Sequence, residues 1–226
     1  MLEQIKEDVR CYARAADHAG LCRHRSGNFS IRDAASGHIC ITPTGMDREE
    51  MTADDIVVID MDGQTVESVN GRKPTSELMM HTAIYRSRSD VLAVAHTHSR
   101  TATAFAVMNK PIPAIVYELS ILGCREGYVP VAPYGRPGTR AAAENVLAPL
   151  SISDVALMQA HGVVAVAVVG VGEVKRGLLC DTAERVAGKQ FGIIFTGATV
   201  SAVVHLGFSG LVEFFRTPVD GFVLFE

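Results

Sequence analysis

VLAVAHTHS, residues 91–99, carries the first decision about the fold. Its first five residues are a short continuous apolar run, which reads as a buried strand. Side chains alternate along a strand, so His96 and His98 leave it on the same side. Two neutral imidazoles converging on one point chelate a metal ion, most often zinc. The same pair also reads as a polar strand end with two solvated histidines. The rest of the chain has to separate the two.

The chain has 226 residues, enough for one large domain or two small ones. Apolar residues make up 48% and charged residues 20%, so a sizeable core is expected and disorder is not. The net charge of −4 carries no basic patch of the kind nucleic acid needs, so no nucleic-acid partner is expected. The amphipathic N-terminus has no apolar core of a signal peptide. Residues 163–171 form the nearest approach to a membrane span and are too short, so no membrane partner is expected. Five cysteines with no CxxC suggest reduced thiols and a cytoplasmic location.

No repeat or low-complexity linker interrupts the chain, so residues 1–226 read as a single domain. Residues 3–19 have helical periodicity, closed by Gly20. Short strands are expected at 29–32, 38–42 and 56–60, the last followed by an Asp62-Gly63 turn. PTSE, residues 74–77, opens a helix that runs to about 88, with hydroxyls near its start and an acid in its first turn. The strand ending at His96 and a small-residue helix over 101–108 follow. Strands at 115–118 and 128–131 and a helix at 139–147 come next. Two apolar runs, 155–159 and 163–169, are joined by Ala160-His161-Gly162, a hairpin signal. Residues 173–195 read as a long helix, 198–205 fit either helix or strand, and 211–216 read as helix. Short links between strands favour an antiparallel or mixed sheet. The fold class expected is therefore α/β, one sheet with helices on its faces.

His161 would add a third imidazole from the hairpin turn and leave a fourth coordination position open, where zinc acts as a Lewis acid on an oxygen. A turn histidine bonded to backbone is the plainer reading of His161 taken alone. Glu77 lies at a helix start, where the dipole favours an anion, and could ligate the metal or act as a base. It also reads as an ordinary capping acid. His81 lies four residues further on the same helix face and reads as structural, beside the metal shell. Gly27-Asn28, Thr44-Gly45 and Thr75-Ser76 offer amides, hydroxyls and a helix N-terminus, which together would hold a phosphate through neutral donors.

GNFSIRD (27–33), ITPTGM (41–46), KPTSELMMH (73–81), HTHS (96–99) and QAHGVVA (159–165) occur in the order and spacing of the class II aldolase/adducin family. The chain resembles its aldolases over about residues 3–195. The resemblance implies a three-layer α/β/α sandwich around a mainly antiparallel sheet, in a homotetramer with sites between subunits. It implies one zinc ion per subunit on His96, His98 and His161, with Glu77 as a further ligand and as catalytic acid/base. Such a glutamate is expected to have a raised pKa through burial. Tyr117 would donate a proton in a neighbouring subunit's site. Asn28, Thr44, Gly45, Thr75 and Ser76 would hold the phosphate of a ketose 1-phosphate that is cleaved to dihydroxyacetone phosphate and an aldehyde.

One departure stands out. The tail GLVEFFRTPVDGFVLFE, residues 210–226, lacks the tyrosine that similar aldolases carry there, and Phe214, Phe215, Phe222 and Phe225 are apolar. Two or more of these phenylalanines read as core packing. The alternative is a tail that meets a substrate end without a hydroxyl, such as a 5-deoxy or 5-methylthio group. HTHSRTAT also resembles the family's ribulose-5-phosphate 4-epimerases, but those carry aspartate where this chain has Glu77. An epimerase is the second reading, a sugar-phosphate dehydratase or decarboxylase the third. A non-catalytic adducin-like module fits poorly with three histidines, Glu77 and Tyr117 all in place.

Overall fold

A computed structural model describes residues 2–115 and 123–168, together with two short strand pairs in the remainder, Phe195–Thr196 with Thr199–Val200 and Phe215–Arg216 with Val223–Leu224. Eight strands form one sheet. They are β1 (Asn28–Arg32), β2 (Ile39–Ile41), β3 (Val57–Ile59), β4 (Thr65–Glu67), β5 (Val91–Thr97), β8 (Val131–Ala132), β9 (Val155–Met158) and β10 (Gly162–Val168). Their order is β4-β3-β2-β1-β5-β10-β9-β8. Every pairing is antiparallel except β8 with β9. A separate small ladder joins β6 (Ile112–Pro113) to β7 (Tyr128–Val129).

The strand alternation feeds two cores. Cys40, Val58, Phe29 and Ala95 face helix α1 (Leu2–His18), which buries Ile5, Val9, Ala13 and Ala16 at helical spacing. On the same side, Leu157, Val163 and Ala165 meet Ala102 and Ala106 of α3 (Arg100–Val107). The residues between them, Ile39, Ile41, Val57, Ile59, Val94 and Val164, face the other way. There they pack on Met80, Ile84 and Tyr85 of α2 (Leu78–Ser87) and on Ala143 and Leu150 of α4 (Arg140–Asn145) and α5 (Leu147–Ile152). Each such fully buried aliphatic side chain contributes about 1.5–3 kcal/mol. The result is the expected three-layer α/β/α sandwich.

Three local departures have physical causes. Strand β4 was not expected, because Thr65, Val66 and Glu67 are all exposed at the sheet edge and show no apolar alternation. Pro130, which has no N–H, splits the 128–131 segment into β7 and β8, and its carbonyl accepts from the Leu157 amide instead. Helix α5 was also not expected, yet Pro149 sits in its first turn, where the missing amide has no intrahelical partner to lose. Further on, Phe215–Arg216 is strand, paired with Val223–Leu224, and not helix. The long helix expected over 173–195, and most of the strand expected at 115–118, lie outside the described residues.

Cys22, Cys40 and Cys124 are free and buried. Among the described residues no helix is long and apolar enough to cross a membrane.

One buried acid ties the loops that carry the site. Asp55 accepts from the amide and hydroxyl of Thr52, from Asn70 and from Arg72. Burial pushes its carboxyl up, but the Thr52 amide, Arg72, Asn70 and the Thr52 hydroxyl together hold it far below the usual carboxylate range. Its contribution to stability is therefore complete above the unfolded-state value of about 3.9 and is lost as pH falls toward the depressed folded value. Asp55→Ala is expected to lower the unfolding free energy by roughly 2–4 kcal/mol, a drop in Tm of roughly 5–15 °C. Asp55→Asn is expected to flatten the acid limb of stability against pH, read by urea unfolding from pH 3 to 7. An unchanged acid limb would remove Asp55 from this role.

Candidate metal centre and substrate cleft

The site is assembled at one end of the sheet. Strand β5 lies between β1 and β10, with Asn28 opposite His96 and His96 opposite Val164. His96 is therefore fixed by ladders on both sides and is fully buried. His98 lies just past the strand, where its amide donates to the Leu21 carbonyl. His161 occupies the three-residue turn of the β9–β10 hairpin, with Ala160 in the left-handed region at φ 54°. The expected hairpin and its turn histidine are both present.

The three imidazoles converge. One nitrogen of each of His96, His98 and His161 lies within 4.8 Å of the other two, and ring centroids are 4.7–5.1 Å apart. Three zinc ligands at tetrahedral angles would stand about 3.3 Å apart, so a small closure completes such a triad. Gly162 makes room for it. A Cβ there would lie 2.6 Å from the Thr97 carbonyl, 3.0 Å from His98 Cδ2 and 3.1 Å from His96 Cε1.

Glu77 completes the cluster. It stands at the N-cap of α2 but makes no side-chain cap hydrogen bond. Its carboxylate turns instead into the site, Oε2 3.1 Å from His96 Nε2 and Oε1 3.6 Å from His161 Nε2. This is neither the first-turn placement nor the capping role available from the sequence.

The donor set tests for a cation directly. His96 Nδ1 donates to the Val163 carbonyl at 2.9 Å, so in the neutral ring Nε2 carries a lone pair. Burial outweighs the attraction of Glu77 and holds His96 neutral, its pKa pushed down to about 3. His98 is also lowered, by burial and then by His161. The His96 Nε2 lone pair thus lies 3.1 Å from Glu77 Oε2 and 3.0 Å from His98 Nε2, and a cation among these three groups would be attracted by all of them. His161 Nδ1 is buried with no hydrogen-bond partner. The residues fit a divalent metal ion.

Glu77 departs from the expected raised pKa. Burial does push its carboxyl up, but His96, the Asn28 amide, His161 and His81 outweigh it, and it stays ionised below the usual glutamate value. Asn28 Nδ2 donates to Glu77 Oε2 at 2.9 Å, and its carbonyl accepts from His81 Nε2 at 2.6 Å. Both ends of the Asn28 side chain are therefore engaged inside the site. His81 is fully buried and neutral, lowered to about 4 by burial against the pull of Glu77.

The other expected anion residues do meet. The Thr44 amide donates to the Lys73 carbonyl and the Thr75 amide to the Thr42 carbonyl, each at 3.0 Å, which stitches the two loops together. Thr44, Gly45, Thr75 and Ser76 then line a cleft of about 180 Å³ whose floor holds Glu77, His98 and His161. Arg25, Ser26, Arg48 and Pro137 also line it and were not anticipated. Ser26 has a buried hydroxyl with no partner, and Arg25 and Arg48 make the cleft cationic, not neutral. Arg25 and Ser26 reach the cleft through a left-handed segment before Gly27, where His24 and Arg25 have φ of 58° and 63°. Tyr117 lies outside the described residues.

Gly162→Ala should show whether this geometry holds the metal. The added methyl has to displace either the Thr97 carbonyl or the two rings. Metal affinity, read by competition with a chromophoric chelator, is expected to fall at least tenfold, with about 1–3 kcal/mol lost in stability. Parental affinity in a folded variant would show that the three rings do not act together.

The comparisons with known proteins follow the same residues. Residues 7–169 match the family described as Class II Aldolase and Adducin N-terminal domain, so the match stops short of residue 195. The chain is 32% identical over 165 residues to a 5-deoxy-D-ribulose 1-phosphate aldolase of Bacillus thuringiensis serovar kurstaki, covering 73% of this chain and 75% of the relative. It is 40% identical over 146 residues to an L-fuculose phosphate aldolase of Escherichia coli O6:H1, covering 65% of each chain, so it spans just under two thirds of that relative's length. A solved L-fuculose 1-phosphate aldolase superposes with a TM-score of 0.68 at 30% identity, over 81% of this chain and 82% of its own. The chain belongs to the class II aldolase and adducin family, and its named relatives are aldolases of sugar phosphates.

Proposed function

We propose that the protein is a zinc-dependent aldolase that reversibly cleaves a ketose 1-phosphate to dihydroxyacetone phosphate and an aldehyde. The observation that carries this reading is the Glu77 carboxylate 3.1 Å from His96 and 3.6 Å from His161, beside the cluster of three imidazoles at a cleft lined by Thr44, Gly45, Thr75 and Ser76. Three imidazoles favour zinc over magnesium. The substrates we infer are L-fuculose 1-phosphate or a 5-deoxy- or 5-methylthio-pentulose 1-phosphate. We also infer a single domain over residues 1–226, a homotetramer of 24.2 kDa chains with sites between subunits, and a cytoplasmic location.

Zinc, when bound by His96, His98 and His161, supplies Lewis-acid stabilisation of the oxygens next to the reacting carbons. The chain's own residues do the rest. Hydroxyls of Thr44, Thr75 and Ser76 and the amides of Gly45 and Ser76 hold the phosphate at one end and so fix the distance from it to Glu77. In the synthetic direction, ionised Glu77 takes a proton from the hydroxymethyl carbon of dihydroxyacetone phosphate, the atom that becomes C3. Tyr117 gives a proton to the aldehyde oxygen, which becomes the C4 hydroxyl. Cleavage is the same path reversed.

A coupled assay for dihydroxyacetone phosphate on metal-analysed protein tests the reading. Fuculose 1-phosphate, 5-deoxyribulose 1-phosphate, 5-methylthioribulose 1-phosphate and ribulose 5-phosphate are offered side by side. Triose phosphate is expected from a 1-phosphate, with loss on chelation and a fall of about a hundredfold or more in Glu77→Gln. If the tyrosine-free tail meets an apolar end, the 5-deoxy substrate should be used better than fuculose 1-phosphate. Xylulose 5-phosphate formed from ribulose 5-phosphate, without triose phosphate, would make the protein an epimerase. Silence on all four with zinc bound would sink the aldolase.

A further inference from the structure

Behind Glu77 lies a line of buried polar groups that the reaction scheme does not use. Asn28 and Ser30 are alternate residues of β1 and share its inner face. Glu77, His81 and Tyr85 recur every four residues and share one stripe of α2. The two rows interdigitate. Asn28 bridges Glu77 and His81 at 2.9 and 2.6 Å. Ser30 Oγ lies 2.7 Å from His81 Nδ1 and 2.8 Å from the Tyr85 hydroxyl. The Tyr85 hydroxyl also donates to the Ser30 carbonyl at 3.0 Å. Asn28, Ser30, His81 and Tyr85 are each no more than 4% exposed.

Chemistry gives this line a single direction. An ionised carboxylate only accepts, so the Asn28 amide must present its NH₂ to Glu77 and its carbonyl to His81. His81 must then carry its proton on Nε2. Its Nδ1 is left to accept, and only the Ser30 hydroxyl is there to donate. With the Ser30 proton given to His81, the 2.8 Å contact is closed by the single Tyr85 proton, which the Ser30 and Leu92 carbonyls also approach at 3.0 and 3.4 Å. Every donor points toward Glu77, and chains aligned in this way polarise one another.

We propose that Tyr85, Ser30, His81 and Asn28 form a one-way hydrogen-bond chain that locks the Asn28 amide and thereby aims the Glu77 carboxylate, with His81 as a positioning residue for the reaction. Without the His81 donor the Asn28 amide can flip and set its oxygen against the carboxylate, and Glu77 turns away from the imidazoles. The functional part of this inference rests on the aldolase reading above. The geometric part does not.

Two readouts on the full chain decide it. In ¹⁵N-labelled protein, long-range ¹H–¹⁵N spectra are expected to show the His81 ring proton on Nε2 with Nδ1 bare. A proton on Nδ1 would reverse the chain and overturn the proposal without any assay. In kinetics, His81→Gln keeps a donor near Nε2 and His81→Met keeps bulk but no donor. The Met variant is expected to lose about tenfold or more in kcat, while the Gln variant stays within about threefold. KM for the 1-phosphate should stay within about twofold in both, because the phosphate loops are untouched. Equal kcat values in the two folded variants would show that His81 only fills space. If the parent protein cleaves no 1-phosphate, the aldolase reading fails alone, and the position of the ring proton still supports or overturns the hydrogen-bond chain.

Discussion

The pairing of β5 with a neighbour on each side is the constraint on which the rest depends. Backbone ladders to β1 and β10 leave His96 no freedom to shift, and they set Asn28 directly beside it. Strand side chains alternate, so a slip of one residue would turn His96 to the α1 side and take Val94 out of the α2 core. The apolar residues police this register. Val94 belongs to one core and Ala95 to the other, and exchanging them would leave a void in one layer and a clash in the other. The metal centre is therefore built by the same packing that fixes the sheet.

A second consequence is electrostatic. Burial strips His96 of its charge, and the Val163 carbonyl claims its only ring proton. The nitrogen that remains meets a carboxylate kept ionised by its neighbours. Two acceptors at that distance are unfavourable without a proton or a cation close by, and a buried polar group left unmatched costs on the order of 1–3 kcal/mol. The fold holds this arrangement because α2 and β5 are each anchored by apolar contacts far larger than that.

Much of this was legible because its signals are local. HxH after an apolar run, an acid at a helix start and a histidine between two apolar runs are patterns within a few residues, and each landed at the site. The sheet's antiparallel character followed from short links. The rest depended on which element packs on which. Nothing near Ser30 or Tyr85 in sequence marks them as partners of His81, because the contact arises only when β1 and α2 meet. The spacing Glu77-x₃-His81-x₃-Tyr85 was readable as one helix stripe, but not what it faced. The pKa of Glu77 was read with the wrong sign for the same reason. Burial alone raises it, and the neighbours that lower it come from other segments of the chain. β4, with no apolar side to bury, left no periodic trace.

The ladder between β1 and α2 also explains why the polar line has the length it has. Two residues of an antiparallel strand advance about 6.8 Å and four residues of a helix about 6.0 Å, so each rung of strand outruns the helix by roughly 0.8 Å. One rung fits: Asn28 reaches Glu77 on one side and His81 on the other. The next still fits, with Ser30 between His81 and Tyr85. A third would be out of reach of a direct hydrogen bond, and the line ends there, at the Tyr85 hydroxyl. Arg32, the next inward position on β1, leaves the row and places its guanidinium 5.5 Å over the Tyr85 ring, with donors to the Ser89 and Val91 carbonyls. The cation thus sits at the end away from Glu77, behind the tyrosine that starts the chain. A positive charge there favours donation away from it, by Tyr85 toward Ser30 and onward to the carboxylate, so the sense of the whole line is set at both of its ends.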